Sequence, residues 1–247
     1  MAEYVVIDKE QLESDLTVVA DSIRAKGGTS EPLEFPHGMK DAIEGIESGG
    51  SGNDEFWYKT SASWTDNFKS LFSNANSKTL PLLDFSNANN MRNMVYENNT
   101  LESVDYYINS AKATDMYQMF FKCANLKRLV GLNCSSVKNF YEVFKNCSSL
   151  ETIEEPFDLS AVTSTISGAF FGCPLLKDIL FIDGTIPYDI NIAHSSLLTD
   201  KSIQSIINGL KDLAGGTSRK ITFHTDVVMK LTEEQTTTIF NKNWNIG

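Results

Sequence analysis

Paired apolar residues recur through the middle of the chain at a nearly constant interval. The second residue of each pair follows the previous one by 23, 25, 24 and 26 positions, and another apolar residue stands three positions before each pair. The pairs are Leu71-Phe72, Met94-Val95, Met119-Phe120, Val143-Phe144 and Ala169-Phe170. The i, i+3, i+4 spacing predicts an apolar stripe on one or two helical turns.

A side chain that can accept a hydrogen bond precedes each stripe. These residues are Asn67, Asn90, Asp115, Asn139 and Thr165. Such side chains cap helices by accepting an otherwise unpaired backbone N–H. Gln118 and Glu142 stand where the partner of a capping box is expected. We therefore predict that each repeat opens with a short helix.

A second apolar pair follows in every repeat after residues that favour turns. The second pairs are Leu80/Leu83, Leu101/Val104, Leu126/Leu129, Leu150/Ile153 and Leu176/Ile179. They predict short strands, and repeated helix–turn–strand units stack such strands in parallel. The predicted fold class is therefore α/β, a short leucine-rich-repeat solenoid over residues 56–190.

A column of alternating charge supports this register. The residues after the leading leucines are Glu102, Lys127, Glu151 and Lys177. In parallel strands about 4.8 Å apart, opposite charges at neighbouring positions favour pairing. We interpret the column as structural.

The chain on either side of the repeats has a different pattern. Residues 191–247 predict an α/β C-terminal cap, with a helix that Thr199 opens and Gly215-Gly216 ends, a strand at 221–223 and a capping box from Thr232 to Gln235. Residues 1–48 predict two short amphipathic helices, and the Gly/Ser-rich residues 49–55 predict a linker. Because helices this short are marginal alone, we expect residues 1–48 to anchor the chain and form a homo-oligomer, with a trimer as our guess.

Charge and composition exclude several classes of function. The net charge is −11, and no basic stripe is present to bind phosphates, so we expect no nucleic-acid partner. No apolar stretch approaches the length that crosses a membrane, and the N-terminus does not resemble a signal peptide. We therefore expect no membrane insertion.

The candidate chemical groups favour binding over catalysis. Cys123, Cys147 and Cys173 occupy one column of the repeats without metal-ligand spacing, which indicates buried thiols. The three histidines lie in separate segments without a nucleophile motif. Glu154-Glu155 and Asp183 are carboxylates of the kind a glycosidase uses. We predict no catalytic residue, no metal and no cofactor, with a tail-borne polysaccharide depolymerase as the enzymatic alternative.

The repeats resemble the BspA-like leucine-rich repeats of bacteria and their phages, most closely over residues 136–150 and 113–120. Residues 16–29 are similar to the leader of tail-associated proteins in phages and prophages of Gram-positive bacteria, and residues 198–213 are similar to caps beside such repeats. The resemblance implies a virion protein of the tail tip or baseplate that helps to recognise the host surface. A bacterial surface adhesin of BspA type and a cytosolic scaffold remain alternatives.

The open face of the predicted sheet is the candidate binding surface. Side chains that point outward between the core leucines form a row with acidic neighbours. The predicted binding residues are Ser103, Asp105, Arg128, Thr152, Glu154 and Asp178. We expect a host cell-surface glycan or protein as their ligand and other tail proteins as further partners. Tyr106, Tyr107 and Tyr188 are candidates for stacking on sugars.

Overall fold

The computed structural model describes residues 69–75, 78–80 and 85–247. This part of the chain is a mixed α/β structure with two small parallel sheets and few helices. The predicted helical module of residues 1–48 and the linker at 49–55 lie outside the described residues. No helix in the described ranges is both long and apolar enough to span a bilayer.

The first sheet is built from the second apolar pairs of the repeats. It contains β1 (Ser103–Ile108), β2 (Arg128–Leu132) and β3 (Thr152–Ile153), paired in parallel in that order. Isolated parallel bridges from Thr79 to Ser103 and from Thr152 to Asp178 extend the pairing to the repeats on either side. The predicted parallel pairing between repeats is therefore confirmed across these positions.

Two consecutive turns replace the short helix that we predicted at the start of each repeat. The Met94 N–H donates to the carbonyl of Met91, three residues back, at 3.2 Å. The intervening Asn93 N–H instead donates to the Tyr117 carbonyl of the next repeat, at 2.9 Å. Because alternate N–H groups bond to the neighbouring repeat, the i to i−4 bonds of an α-helix do not form. The helix prediction was wrong here.

Left-handed residues end each of these turns. Their φ angles are positive, at positions four residues apart: Ser70 and Asn74, Asn93 and Glu97, Gln118 and Lys122, Glu142 and Asn146. An α-helix does not accommodate such residues, whereas a turn commonly ends on one. The apolar stripe of three residues is buried equally well by two turns, so its spacing did not separate the two conformations.

The predicted cap residues open turns instead of helices. The side-chain oxygens of Asn90, Asp115 and Asn139 accept the backbone N–H two residues later at 3.1, 2.9 and 3.3 Å. This is the local bond of an Asx turn. Gln118 and Glu142 do not close capping boxes; the Gln118 amide donates to the Glu142 carboxylate at 2.7 Å.

The core stacks equivalent side chains from successive repeats. The rings of Phe120, Phe144 and Phe170 are fully buried and nearly parallel, with centroids 5.4 and 5.7 Å apart. Burial of large aromatic side chains contributes strongly to stability, and stacking adds about 0.5–1.5 kcal/mol for each pair. This column therefore helps to fix the register between repeats.

The predicted cysteine column is also buried. The thiols of Cys123, Cys147 and Cys173 donate to main-chain carbonyls of the preceding repeat at 3.0, 3.0 and 3.1 Å. Burial raises the pKa of both Cys123 and Cys173 to about 12. All four cysteines, including Cys134, are free thiols.

The column of alternating charge, which we call the charge ladder, follows the hydrogen bonds between the backbones of successive repeats. The N–H groups of Lys127, Glu151 and Lys177 donate to the carbonyls of Glu102, Lys127 and Glu151, each at 2.8–2.9 Å. The Lys177 ammonium also contacts the Glu151 carboxylate at 2.8 Å. At the other end, Lys78 lies 3.1 Å from Glu102 and adds a fifth alternating charge.

The C-terminal region carries the second sheet and the helices. Its elements are β4 (Ile190–Ile192), α1 (Asp200–Gly209), β5 (Arg219–Phe223), α2 (Thr225–Val228), α3 (Glu233–Asn241) and β6 (Trp244–Ile246). The sheet is parallel, in the order β4-β5-β6. Thr199 caps α1, and the capping box of Thr232 and Gln235 at α3 is confirmed.

The end of α1 differs from our prediction. The helix stops at Gly209, before Gly215-Gly216, because Leu210 adopts an extended ψ and forms a parallel bridge with Ile186. Pairing with the preceding segment therefore ends the helix five residues early.

Candidate functional site

The predicted binding row lies in register across the first sheet. Ser103 pairs with Arg128, Arg128 with Thr152, and Thr152 with Asp178. Each of these four side chains is half-buried, while Asp105 and Glu154 are exposed. The sequence therefore identified neighbouring residues on one surface, and their role in binding stays a prediction.

Arg128 organises the centre of this row. Its guanidinium bonds to the Glu154 carboxylate through Nε at 2.6 Å and to the Asp105 carboxylate through Nη1. Ser103 donates its hydroxyl to the second oxygen of Asp105 at 2.6 Å. The hydrogen bond from Glu154 is the largest cause that raises the pKa of Arg128. The arginine is held in place, with 42% of its side chain exposed and one negative charge in excess around it.

The end of the row contacts the C-terminal region. The Asp178 carboxylate accepts a hydrogen bond from the Thr199 hydroxyl at 3.0 Å. Thr199 is also the N-cap of α1, since its hydroxyl accepts the Ser202 N–H at 3.3 Å. Asp178 therefore joins the row to the cap as well as lying on its surface.

The three candidate tyrosines have different environments. Tyr107 is 42% exposed and lies beside Gly131, where an added Cβ would stand 3.2 Å from the Tyr107 ring. Tyr106 is half-buried, and this burial raises the pKa of its hydroxyl group above the usual value. Tyr188 packs under the Arg219 guanidinium, 4.9 Å from its ring centroid. Tyr107 is thus the best placed of the three to meet a ligand on the sheet face.

A second surface, which the sequence analysis missed, lies on the paired turns; we call it the turn face. Tyr117 stacks on Tyr141 with centroids 5.5 Å apart, and Tyr96 stacks on Phe121 at 5.0 Å. All four rings are half-buried. Their sequence spacings of 24 and 25 match the repeat, and that periodicity could have revealed them.

Gln118 and Glu142 follow Tyr117 and Tyr141 in the sequence and form a polar column of their own. The Glu142 carboxylate accepts from the Lys145 ammonium at 2.6 Å and from the Gln118 amide at 2.7 Å. Burial alone would raise the pKa of Glu142, but hydrogen bonds from Lys145, Gln118 and Tyr141 outweigh it and lower the pKa. Glu142 is therefore ionised and neutralised by Lys145 at neutral pH.

Three of the groups considered for catalysis have contacts in the described structure. Glu154 is engaged by Arg128, and the His194 ring lies 4.1 Å from the Phe171 ring. His224 accepts the Asp226 N–H at 3.2 Å and so caps α2. Within the described residues, no three His, Cys, Asp or Glu side chains are grouped to hold a metal ion. His37 lies outside the described residues.

One family model matches part of the chain. It is described as "Mycoplasma protein of unknown function, DUF285", and it covers residues 66–179, somewhat less than half of the chain. This family is related to BspA-like repeat proteins. No curated protein and no solved structure matches the chain. The matched segment coincides with the repeats.

Proposed function

We propose that this chain is a tail-tip or baseplate protein of a phage or prophage. Its repeats form a short leucine-rich-repeat solenoid that binds a ligand non-covalently. The ligand is a glycan or protein on the host cell surface. The protein acts in the virion, and residues 1–48 attach it to other tail proteins as a homo-oligomer.

The observation that carries this proposal is the row of half-buried side chains on the first sheet, with the exposed Asp105 and Glu154 beside it. Four successive repeats place Ser103, Arg128, Thr152 and Asp178 side by side at the spacing of paired strands. Repeat proteins commonly bind through such extended surfaces. Arg128 supports this role because paired carboxylates hold it in place while 42% of its side chain stays exposed.

Cell binding by the full-length protein tests the proposal. Fluorescently labelled protein is incubated with a panel of Gram-positive strains, and bound fluorescence is measured. We expect wild-type protein to label at least one strain and the double variant Arg128→Ala/Thr152→Ala to bind it at least tenfold more weakly. Ser160→Ala is the control, because Ser160 is exposed on a turn outside the row. Equal labelling by both variants would exclude the row as the binding surface.

A further inference from the structure

The stack of Tyr117 and Tyr141 is closed at one end by a cation. The Arg92 guanidinium lies 3.8 Å from the centroid of the Tyr117 ring and covers its outer face. Arg92 is held there by the Asp115 carboxylate at 3.6 Å. Tyr117 is therefore covered on one face by Arg92 and on the other by Tyr141.

The opposite end of the stack lacks an equivalent cover. Backbone hydrogen bonds align the next repeat so that Ala169 takes the position equivalent to Val143. Gly168 takes the position equivalent to Glu142, since an added Cβ on Gly168 would lie 3.1 Å from Cγ of Glu142. Ser167 therefore takes the stack position after Tyr141. Among the described residues, the Tyr141 ring contacts one other aromatic ring, that of Tyr117, and no cation lies over it.

The next repeat places small and polar residues at the positions that follow the Tyr117–Tyr141 stack. The hydroxyl groups of Ser167 and Thr165 lie 3.0 Å from each other, and Gly168 has no side chain. The Glu142 carboxylate borders the same position, paired with the Lys145 ammonium. We call this position the Tyr141 notch, formed by Tyr141, Glu142, Thr165, Ser167 and Gly168.

The chemistry of the Tyr141 notch suits a neutral sugar. The face of an aromatic ring is electron-rich and attracts weakly positive C–H groups, such as those on one side of a pyranose. The hydroxyl groups of Thr165 and Ser167 beside the ring can exchange hydrogen bonds with sugar hydroxyls, and a few such groups orient a ligand. Because Lys145 already neutralises Glu142, the site carries little net charge and favours an uncharged ligand.

We propose that the Tyr141 notch binds one pyranose ring of a neutral polysaccharide. This site is distinct from the row on the first sheet. The proposal rests on the recognition function above and names the class of ligand.

Two variants test the site in the full-length protein. Ser167→Tyr extends the aromatic stack and fills the notch without removing a core group. Tyr141→Ala removes the platform. Ser160→Tyr introduces the same side chain as Ser167→Tyr on an exposed turn outside the notch and is the matched control. Binding is measured by calorimetry and by saturation-transfer NMR against tetrasaccharides of glucose, galactose, rhamnose and N-acetylglucosamine.

We expect at least one tetrasaccharide to bind the wild type, with at least tenfold weaker binding by Ser167→Tyr and by Tyr141→Ala. Ser160→Tyr should stay within threefold of wild type, and Ser167→Tyr should keep the wild-type melting temperature. Unchanged binding by folded Ser167→Tyr would overturn the proposal. So would the absence of binding to the whole panel. Cell labelling without saccharide binding would overturn this site alone, since the recognition function is tested by the labelling.

Discussion

Lys242 donates a hydrogen bond from its ammonium group to the carbonyl oxygen of Leu210 at 2.8 Å. The same ammonium reaches the carbonyls of Ile207 and Asn208 at 3.0 and 2.7 Å. These carbonyls lie at the end of α1, where a helix has no further turn to supply i+4 N–H donors. A cation at the negative end of the helix dipole also stabilises it. One lysine from the last segment of the chain thus closes the C-terminal end of α1.

Replacing this lysine should destabilise the C-terminal region. Lys242→Met keeps the length of the side chain and removes the charge and all three hydrogen bonds. We expect the free energy of unfolding to fall by about 2 kcal/mol, the scale of hydrogen bonds to a charged group. Urea denaturation followed by circular dichroism measures this loss, with the exposed Lys211→Met as control. Equal midpoints for the two variants would contradict the capping role.

Charge reversal in the ladder should reduce stability most at the position where an ion pair forms. Lys177 lies 2.8 Å from Glu151, whereas Lys127 makes no ion pair within 4.0 Å of either neighbouring glutamate. We expect Lys177→Glu to cost about 0.5–1 kcal/mol and Lys127→Glu to cost less, because exposed pairs are individually weak. Thermal melts at low salt compare the two, and the glutamine variants at both positions remove charge without reversing it. A larger loss for Lys127→Glu would show that long-range charge outweighs the direct contact.

The buried thiols should react only after unfolding. The core encloses the thiols of Cys123, Cys147 and Cys173, and the buried Cys134 lies outside their column. We expect slow reaction with a thiol reagent in native protein at pH 8 and four reactive thiols in denatured, non-reduced protein. Two thiols in the denatured sample would indicate a disulfide and contradict the column.

The same thiols should make stability depend on alkaline pH. Burial raises the pKa of Cys123 from 9.0 to about 12, so between these values the unfolded state loses the proton and the folded state keeps it. The unfolded chain then binds fewer protons, and stability falls as pH rises through this window. Each such thiol contributes up to about 1.4 kcal/mol per pH unit. Urea melts at pH 8–11 should show a shallower decline for Cys123→Ala than for wild type, and parallel declines would contradict the assignment.

The periodic pattern of apolar residues in the sequence made much of this fold predictable. Leu101, Leu126 and Leu150 are fully buried, and a fixed repeat of such residues specifies the parallel pairing of β1, β2 and β3. Helix and turn were not separable, because the stripe of Met91, Met94 and Val95 is buried in either conformation. The difference lies in bonds between repeats, which the sequence of one repeat does not encode.

The candidate surfaces were predictable to different degrees. Because equivalent positions of neighbouring repeats differ by one period, the repeat pattern by itself predicts that Ser103 lies beside Arg128. The ion pairs of Arg128 depend on side-chain reach and were not foreseen. The Tyr141 notch was missed because it depends on where the short side chains of Ser167 and Gly168 fall in the stack.

The role of residues 1–48 is tested by removing them. Because the apolar columns belong to the repeats and the cap, residues 53–247 should fold alone and melt cooperatively. We expect the full-length chain to oligomerise and residues 53–247 to be monomeric in multi-angle light scattering. A monomeric full-length protein would contradict an anchoring role for the N-terminal module.

Competition for adsorption measures host recognition by the repeats and the C-terminal region. Cells are preincubated with purified residues 53–247, and the adsorption rate of particles that carry this protein is then measured. We expect adsorption to slow in proportion to receptor occupancy and Arg128→Ala/Thr152→Ala in the same fragment to restore the rate. A folded wild-type fragment that binds no cells and never slows adsorption would contradict the recognition function.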